Sequence, residues 1–345
     1  MLLRELARHF ALLAALLLAA AVGSLPGVAA ASTEAAPRAI ILAAAELPEP
    51  ETAPLAPPLA DPSPEGPISL ASTAPIDPAE AAPPEPLPSA LEGDQVISFY
   101  GYPGVAVMGE LGAHDPIEAA VRVRQLAAEY DALNGDRGAV GALHLIVDVA
   151  QARPTADGLY LDKLDKQAIA EYVEVARDYE ILLFLDLQIG WSDPLEDARR
   201  LEWFLREPFV HLALDPEFAT GRYGAAPGTV IGGLDADEVN AVQAFLAELV
   251  RDQGIPPKLL VLHQFKPSML IEPERFDAIH EVEITIDMDG FGGAGAKISG
   301  FQAYALAPYA ERAAFKLFYH WDEPLLTPEQ ILAIGHRPPD YVIYQ

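Results

Sequence analysis

The chain has 345 residues, of which 51 are acidic and 22 are basic, so its formal net charge is −29. This excess of negative charge argues against nucleic acid as a partner, because phosphate binding needs a basic surface. The chain has no cysteine, which excludes disulfides, thiolate metal sites and cysteine nucleophiles. A hydrophobic content of 51% excludes a wholly disordered chain.

The first 93 residues differ in composition from the rest. In residues 1–32, Arg4 and Arg8 precede an apolar run that ends near Gly23 and Pro26, which predicts a signal peptide or an N-terminal membrane anchor. Residues 33–93 hold nearly half of the 32 prolines, with many alanines and glutamates, which predicts a disordered spacer. We therefore expect an extracytoplasmic protein, secreted or tethered to the cell surface, that meets a membrane only through an uncleaved N-terminal segment.

Residues 94–345 have the size of a single (β/α)8 barrel, roughly 250 residues. Eight short apolar runs are predicted strands: 96–101, 142–149, 180–188, 209–215, 258–264, 282–288, 315–320 and 341–344. Predicted helices lie between them, at 116–133, 162–179, 194–205, 236–252 and from Pro328, with less regular ones near 273–280 and 300–312. Several begin with a capping side chain followed by proline, as at Asp115-Pro116. This alternation favours a parallel sheet with crossover helices.

Alternate residues within the strands differ in polarity. In the run 282–288, Val282, Ile284 and Ile286 share one face, and Thr285 and Asp287 share the other. Three other runs show the same pattern, with acidic groups toward their carboxyl ends. A doubly wound sheet would bury its central strands on both faces. The pattern therefore favours an α/β fold of the closed, TIM-type barrel kind, with its polar face turned inward and its chemistry at the carboxyl ends of the strands.

Several carboxyl groups are expected to meet at this mouth. Mutual repulsion raises the pKa of some of them, so that one carboxyl stays protonated while another stays ionised, as glycoside hydrolysis requires. We predict Glu217 as the general acid, Asp215 as the group that tunes it, and Asp287 or Asp186 as nucleophile or base. The predicted substrate-binding residues are Tyr100, Asp148, Gln188, Trp191, His263, Gln264, Asp289 and Trp321. The phase of the run 315–320 is ambiguous, so His320, Asp322 and Glu323 are uncertain additions, and the mid-strand His144 and His211 are interpreted as core residues.

The segment Asp215-Pro216-Glu217 resembles the acid-carrying D-x-E at the end of the fourth strand of glycoside hydrolase family 25 lysozymes and, more loosely, family 18 chitinases. That resemblance implies a glycan-cleaving barrel with Glu217 as the acid. The first strand, however, reads Phe99-Tyr100-Gly101 and supplies no aspartate. More broadly, the segments LALDPEF, KLLVLHQF and DMDGFG resemble those of secreted bacterial barrel proteins of uncharacterised function, which implies a location and a fold but no reaction.

Two alternatives stay open beside a monomeric glycoside hydrolase acting on polysaccharide or a peptidoglycan-type glycan. Aspartates and histidines at strand ends could hold a cation, but no H-x-H follows the first strand and no H-E-x-x-H occurs. We therefore predict no metal and no other cofactor. The second alternative is a non-catalytic cell-surface domain that binds glycan or serves as a wall-associated scaffold.

Overall fold

A computed structural model of the protein describes Ser89, Leu91 and residues 93–335 and 337–345. The predicted signal or anchor segment and nearly all of the predicted spacer lie outside these residues. Within them, no helix combines the length and the apolar character needed to cross a membrane.

Eight parallel strands close into a barrel, as the sequence predicts. In chain order they are β1 (Gln95–Gly101), β2 (Ala139–Ala150), β3 (Leu182–Leu187), β4 (Val210–Leu214), β5 (Lys258–Gln264), β6 (Val282–Met288), β7 (Arg312–Leu317) and β8 (Tyr341–Tyr344). Each strand pairs with the next, and β8 pairs with β1 from Val96 opposite Tyr341 to Phe99 opposite Tyr344. The barrel therefore has no open edge, and its fold class is (β/α)8.

Helices cover the outside of the barrel. They are α1 (Glu110–Ala113), α2 (Pro116–Leu133), α3 (Lys166–Asp178), α4 (Pro194–Arg200), α5 (Glu202–Leu205), α6 (Ala236–Gln253), α7 (Ala294–Gly300) and α8 (Pro328–Leu332). The predicted capping residues begin them: the Asp115 side chain accepts from the Glu118 backbone N–H at 2.9 Å, and Asp235 with Glu238 forms a capping box on α6.

Four predicted helices differ from the structure. The helix predicted at 194–205 is interrupted at Leu201, between α4 and α5. The segment 162–179 begins as a short strand, Leu161–Lys163, that pairs antiparallel with the end of β2, and the helix starts only at Lys166. Between β5 and β6 the predicted helix near 273–280 is replaced by the 3-10 turns Pro267–Met269 and Pro273–Arg275. The helix predicted near 300–312 begins earlier, as α7, and ends in a π-helical turn, Phe301–Ala305.

The two faces of each strand pack into separate layers. Outward aliphatic residues such as Leu143, Leu185, Leu212 and Ile284 are fully buried against the helices. The interior holds a second set that includes Phe184, Leu259, Val261, Tyr341 and Ile343. Apolar packing therefore fills the lower part of the barrel, and the inward polar residues lie above it, toward the carboxyl ends of the strands.

Candidate active site

Polar side chains from six strands, and from positions directly after β4 and β6, meet in the centre of the barrel. Strand register brings them together, because His263 of β5 lies opposite Asp287 of β6, and Asp186 of β3 lies opposite Ile146 of β2. Neighbours in register on one face of a sheet point the same way. The described central residues are Tyr100, His144, Asp186, Asp215, His263, Asp287, Asp289 and Lys316.

His263 lies between acids on both of its ring nitrogens. Its Nδ1 is 2.9 Å from Asp287 Oδ2 and 3.1 Å from Asp289 Oδ2. Its Nε2 is 3.4 Å from Asp186 Oδ2, and the same oxygen is 3.5 Å from Nε2 of His144. His144, Asp186, His263 and Asp287 are all completely buried.

Lys316 brings a positive charge to this centre from β7. Its Nζ lies 3.0 Å from Asp289 Oδ1 and 3.6 Å from the centroid of the Tyr100 ring, a cation–π distance. Burial disfavours the charged form of Lys316, but Asp289 and Asp287 outweigh it and raise the pKa of the ammonium above its usual value. Lys316 is therefore a permanent cation at the base of the mouth.

The strand before the Asp215-Pro216-Glu217 segment ends one residue earlier than predicted. β4 ends at Leu214, and Pro216–Phe218 forms a 3-10 turn. Asp215 is buried and its Oδ1 accepts from the Glu217 backbone N–H at 3.1 Å, whereas Glu217 is partly exposed. The two carboxyls thus differ in depth because a turn, rather than a strand alternation, separates them.

The acids of the mouth have opposed pKa shifts. Burial, with the negative charges of Asp215 and Asp289, raises the pKa of Glu217 to about 8. Burial raises the pKa of Asp215 to about 7, because burial and the negative charges of Asp186 and Asp289 together outweigh the positive charge of His263. Burial also opposes ionisation of Asp289, but Lys316 and His263 outweigh it and lower the pKa of that carboxyl. At neutral pH a protonated Glu217 and an ionised Asp289 coexist here.

Asp186 and Asp287, the predicted nucleophile or base, lie deep in the barrel centre. Each has 0% of its surface exposed. The attraction of His263 and His144 overcomes burial and holds the pKa of Asp186 far below its usual range. These two acids lie beneath the accessible part of the mouth. Asp289, whose side chain is 8% exposed, is more accessible than either of them.

Three predicted substrate-binding side chains already contact other groups of the protein. The side-chain oxygen of Gln188 accepts from the Ala150 N–H at 3.0 Å, and that of Gln264 accepts from the Tyr309 hydroxyl at 3.0 Å. His263 is enclosed by acids. All three are almost fully buried, and Tyr100, 2% exposed, lies beneath Lys316.

The predicted inward position of Asp148 is wrong. The pairing of β2 with β3 shifts between Ile146 and Asp148, which marks a β-bulge, and after it Val149 rather than Asp148 packs with the interior residues. Asp148 instead pairs with Arg200 of α4. Burial raises the pKa of Asp148 to about 6 against the opposing charge of Arg200. Strict alternation fails here because a bulge adds one residue to the strand.

Sequence reasoning missed Lys316 and the contacts of His144. The run 315–320 was ambiguous in phase, and β7 ends at Leu317 with Lys316 inward. Asp322 lies outside the centre, where it accepts from the Phe318 N–H at 2.9 Å and pairs with Lys297 at 3.0 Å. The sequence signal for Lys316 was a lysine within an otherwise apolar run. His144 does lie in the core, but its Nε2 faces Asp186 without a hydrogen bond.

Exposed aromatic side chains follow β3, β6 and β7. Trp191 is 36% exposed, and its ring packs at a tilt against Tyr160, with 4.7 Å between the ring centroids. Its ring N–H donates to the Ala225 carbonyl at 2.8 Å. Trp321, 39% exposed, lies 5.8 Å from Phe291. Trp321 and His320 also line a small cleft of about 160 Å³ beside Gly109 and Gln345. Both predicted tryptophans are therefore available for stacking on a ligand.

Comparisons with known proteins add little to this description. No family model and no curated protein matches the chain. Among solved structures it is similar to a GH5-4 broad specificity endoglucanase from an uncultured bacterium, with 12% identity over 53% of this chain and 59% of that one and a TM-score of 0.26. It is also similar to a Family GH13_31 enzyme, with 10% identity over 59% of this chain and 47% of that one and a TM-score of 0.23. The chain spans less than two thirds of the length of either.

Proposed function

We propose that the protein is a glycoside hydrolase-like barrel that acts on cell-wall or extracellular polysaccharide by carboxylate acid–base catalysis. The observation that carries the proposal is the pair of unlike carboxyls at the mouth. Glu217 has a pKa of about 8, whereas Asp289 is paired with Lys316 at 3.0 Å and His263 at 3.1 Å. Glycoside hydrolysis needs one protonated and one ionised carboxyl on the two sides of the scissile bond.

In this proposal Glu217 protonates the leaving oxygen. Asp289 acts as nucleophile or base, in place of the deeper Asp186 and Asp287. Asp215 holds the turn through its bond to the Glu217 N–H. Above its own pKa of about 7, the negative charge of Asp215 favours the protonated form of Glu217. Trp191 and Trp321 stack on sugar rings beside the cleaved bond. Export of the chain and a cell-wall location are parts of the same proposal and rest on the sequence of residues 1–93.

The test compares the full chain with its Glu217→Gln variant on a panel of polysaccharides. Removal of a general acid typically costs about 10²- to 10⁴-fold in rate, and we expect kcat/KM to fall by that factor. The loss should be much smaller on an aryl glycoside whose leaving group needs no proton. Glu311→Gln is the matched control, since burial also raises the pKa of Glu311 but this residue precedes β7 at the opposite end of the barrel. Unchanged turnover of Glu217→Gln would eliminate Glu217 as the acid.

The exposed aromatics favour a second candidate, a non-catalytic domain that binds glycan through the same mouth. Trp191 and Trp321 offer stacking surfaces whether or not a bond is cleaved. In that case the wild-type chain binds a polysaccharide without releasing sugars, Trp321→Ala weakens the binding, and Glu217→Gln leaves it unchanged. Release of reducing ends by the wild type would decide for the enzyme.

A further inference from the structure

The deepest part of the barrel centre has polar atoms that no hydrogen bond satisfies. Nε2 of His144, both oxygens of Asp186 and Nε2 of His263 are buried without a hydrogen-bond partner, as are Nδ1 of His263 and both oxygens of the neighbouring Asp287. Their residues have no exposed surface. Buried polar atoms are almost always paired, and an unpaired one indicates strain or a ligand. The three side chains point at one another from β2, β3 and β5, so a shared ligand would satisfy all of them together.

The spacing of these atoms differs from that of a hydrogen-bonded network. Asp186 Oδ2 is 3.5 Å from His144 Nε2 and 3.4 Å from His263 Nε2. A charge-assisted hydrogen bond between nitrogen and oxygen is shorter, roughly 2.7–2.9 Å. Two ligand atoms bound tetrahedrally to one zinc ion, each at about 2.0–2.2 Å, are roughly 3.3–3.6 Å apart. The three donor atoms also lie within 4.8 Å of one another.

The other nitrogen of each histidine faces a group that would orient it. Nδ1 of His144 is 2.9 Å from the hydroxyl of Tyr341, and Nδ1 of His263 is 2.9 Å from Asp287 Oδ2. A metal-bound histidine usually directs its second nitrogen at a carboxylate, carbonyl or hydroxyl in this way, which fixes the tautomer and the ring plane. His263 also belongs to a group with Asp287 and Asp289. That group uses Nδ1, at ion-pair distances, and leaves Nε2 free to face Asp186.

We propose that His144, Asp186 and His263 form a binding site for one divalent transition-metal ion of the Zn²⁺ type. Two imidazoles and one carboxylate suit a borderline ion better than Mg²⁺ or Ca²⁺, which prefer oxygen ligands. The second oxygen of Asp186 can serve as a further ligand. The ion would also offset the charges of Asp186, Asp287 and Asp289, which lie close together in a buried space. No sequence motif reveals such a site, because each ligand comes from a different strand.

The test measures Zn²⁺ in the full-length chain after unfolding with a chelator, refolding with and without Zn²⁺, and gel filtration. We expect the refolded wild type to retain one Zn²⁺ per chain and to melt at a higher temperature than the metal-free protein. Asp186→Asn and His144→Gln should lose the ion. Co²⁺ in place of Zn²⁺ should give the visible absorption of a four-coordinate site. His211→Gln is the matched control and should keep the ion, since His211 is also buried in the barrel with an unpaired Nε2.

Tyr341→Phe covers the case in which the ligand variants fail to fold. It removes only the hydroxyl beside His144, and we expect Zn²⁺ affinity to fall about 10- to 100-fold. The proposal would be overturned if the wild-type chain retains no more Zn²⁺ than Asp186→Asn and melts at the same temperature with and without Zn²⁺. The centre would then hold a protonated His263 between acids. These readouts do not depend on glycan cleavage. A chain that binds Zn²⁺ but cleaves no polysaccharide would refute the proposed hydrolase and leave the metal site standing.

Discussion

At the scale of single residues, Glu217 is the group whose protonation should control the reaction. Burial, with the negative charges of Asp215 and Asp289, outweighs the positive charges of Lys316 and His263 and raises the pKa of Glu217 to about 8. An acid catalyst works only while it is protonated. The electrostatics of the mouth therefore keep Glu217 competent over the neutral range.

We expect kcat/KM on polysaccharide to fall as the pH rises through about 8, because Glu217 then loses its proton. The pH profile of the full chain measures this. On an aryl glycoside with an acidic leaving group the alkaline fall should be weak, since that substrate needs no proton. A profile that falls near pH 5 instead would contradict the assignment, because it would indicate a carboxyl with an ordinary pKa.

The same residue should limit stability at alkaline pH. Its pKa is near 4.3 in an unfolded chain and about 8 in the folded one, so folding favours the protonated form and stability falls as the pH rises between these values. Glu217→Gln should therefore match the wild type at pH 4 and exceed it at pH 9 by at least about 1 kcal/mol, since one pKa unit corresponds to about 1.4 kcal/mol.

Urea denaturation at both pH values measures this difference in the free energy of unfolding. Glu248→Gln, on the exposed side of α6, is the control and should show no pH-dependent gain. A Glu217→Gln variant that is no more stable than the wild type at pH 9 would show that Glu217 ionises freely in the folded protein.

At the scale of elements, a glycine fixes the turn that carries Glu217. The Gly232 N–H donates to the Glu217 carbonyl at 2.6 Å. A Cβ at position 232 would lie 2.5 Å from the Pro216 oxygen and 2.6 Å from the Ala219 nitrogen. Both of these are backbone atoms of the turn, so they move only if the turn moves. The position of Glu217 therefore depends on the absence of a side chain at 232.

Gly232→Ala should displace this turn and lower kcat about 10²-fold, the scale that a displacement of about 1 Å of a reacting group can reach. Secondary structure measured by circular dichroism should persist. Gly295→Ala in α7 is the control, because a Cβ there meets nothing within 4 Å and alanine favours a helix. Unchanged kcat in Gly232→Ala would show that the turn tolerates the shift.

The elements also show how far the sequence allows prediction. Periodicity located all eight strands and the faces of β3, β4 and β6, since outward aliphatic residues alternate there with an inward set that ends in an acid. It failed at Asp148, because a bulge follows Ile146 and no residue type marks it. It failed at Lys316, because the predicted run 315–320 has aromatics at both alternations, Phe315 and Tyr319 on one and Phe318 on the other, and so has no clear phase. The metal-type cluster of His144, Asp186 and His263 depends on register between three strands, which composition does not encode.

At the scale of the whole molecule, Asp340 secures the closure of the barrel. It precedes β8 and its carboxylate accepts from Arg137 at 2.9 Å, from Arg337 at 2.9 Å and from the Ala313 N–H at 3.0 Å. Its backbone carbonyl accepts from the Val96 N–H of β1 at 2.9 Å. One nearly buried acid thus ties together β1, β7 and the segments that lead into β2 and β8.

Asp340→Asn should lower the free energy of unfolding by about 1–3 kcal/mol, because the amide cannot accept from all these donors and leaves buried ones unpaired. Urea denaturation at neutral pH measures it. Asp237→Asn is the matched control: its ion pair with Arg275, at 2.7 Å, is on the surface with 75% of the aspartate side chain exposed, and such pairs contribute about 0–1 kcal/mol. Equal losses in the two variants would refute the role of Asp340.

The missing helix between β5 and β6 has a consequence for how the molecule opens. From Phe265 to Glu281 the chain makes short turns, with bonds such as Met269 N–H to Lys266 and Arg275 N–H to Glu272. Its one strand, Leu270–Ile271, has two residues and pairs with Leu234–Asp235 outside the barrel. Segments of this kind exchange their amide protons through small local openings, while barrel strands do so only when the whole domain unfolds. Deuterium uptake should therefore be earliest along this stretch, and a protease that nicks the folded barrel should cut there before anywhere else between β1 and β8.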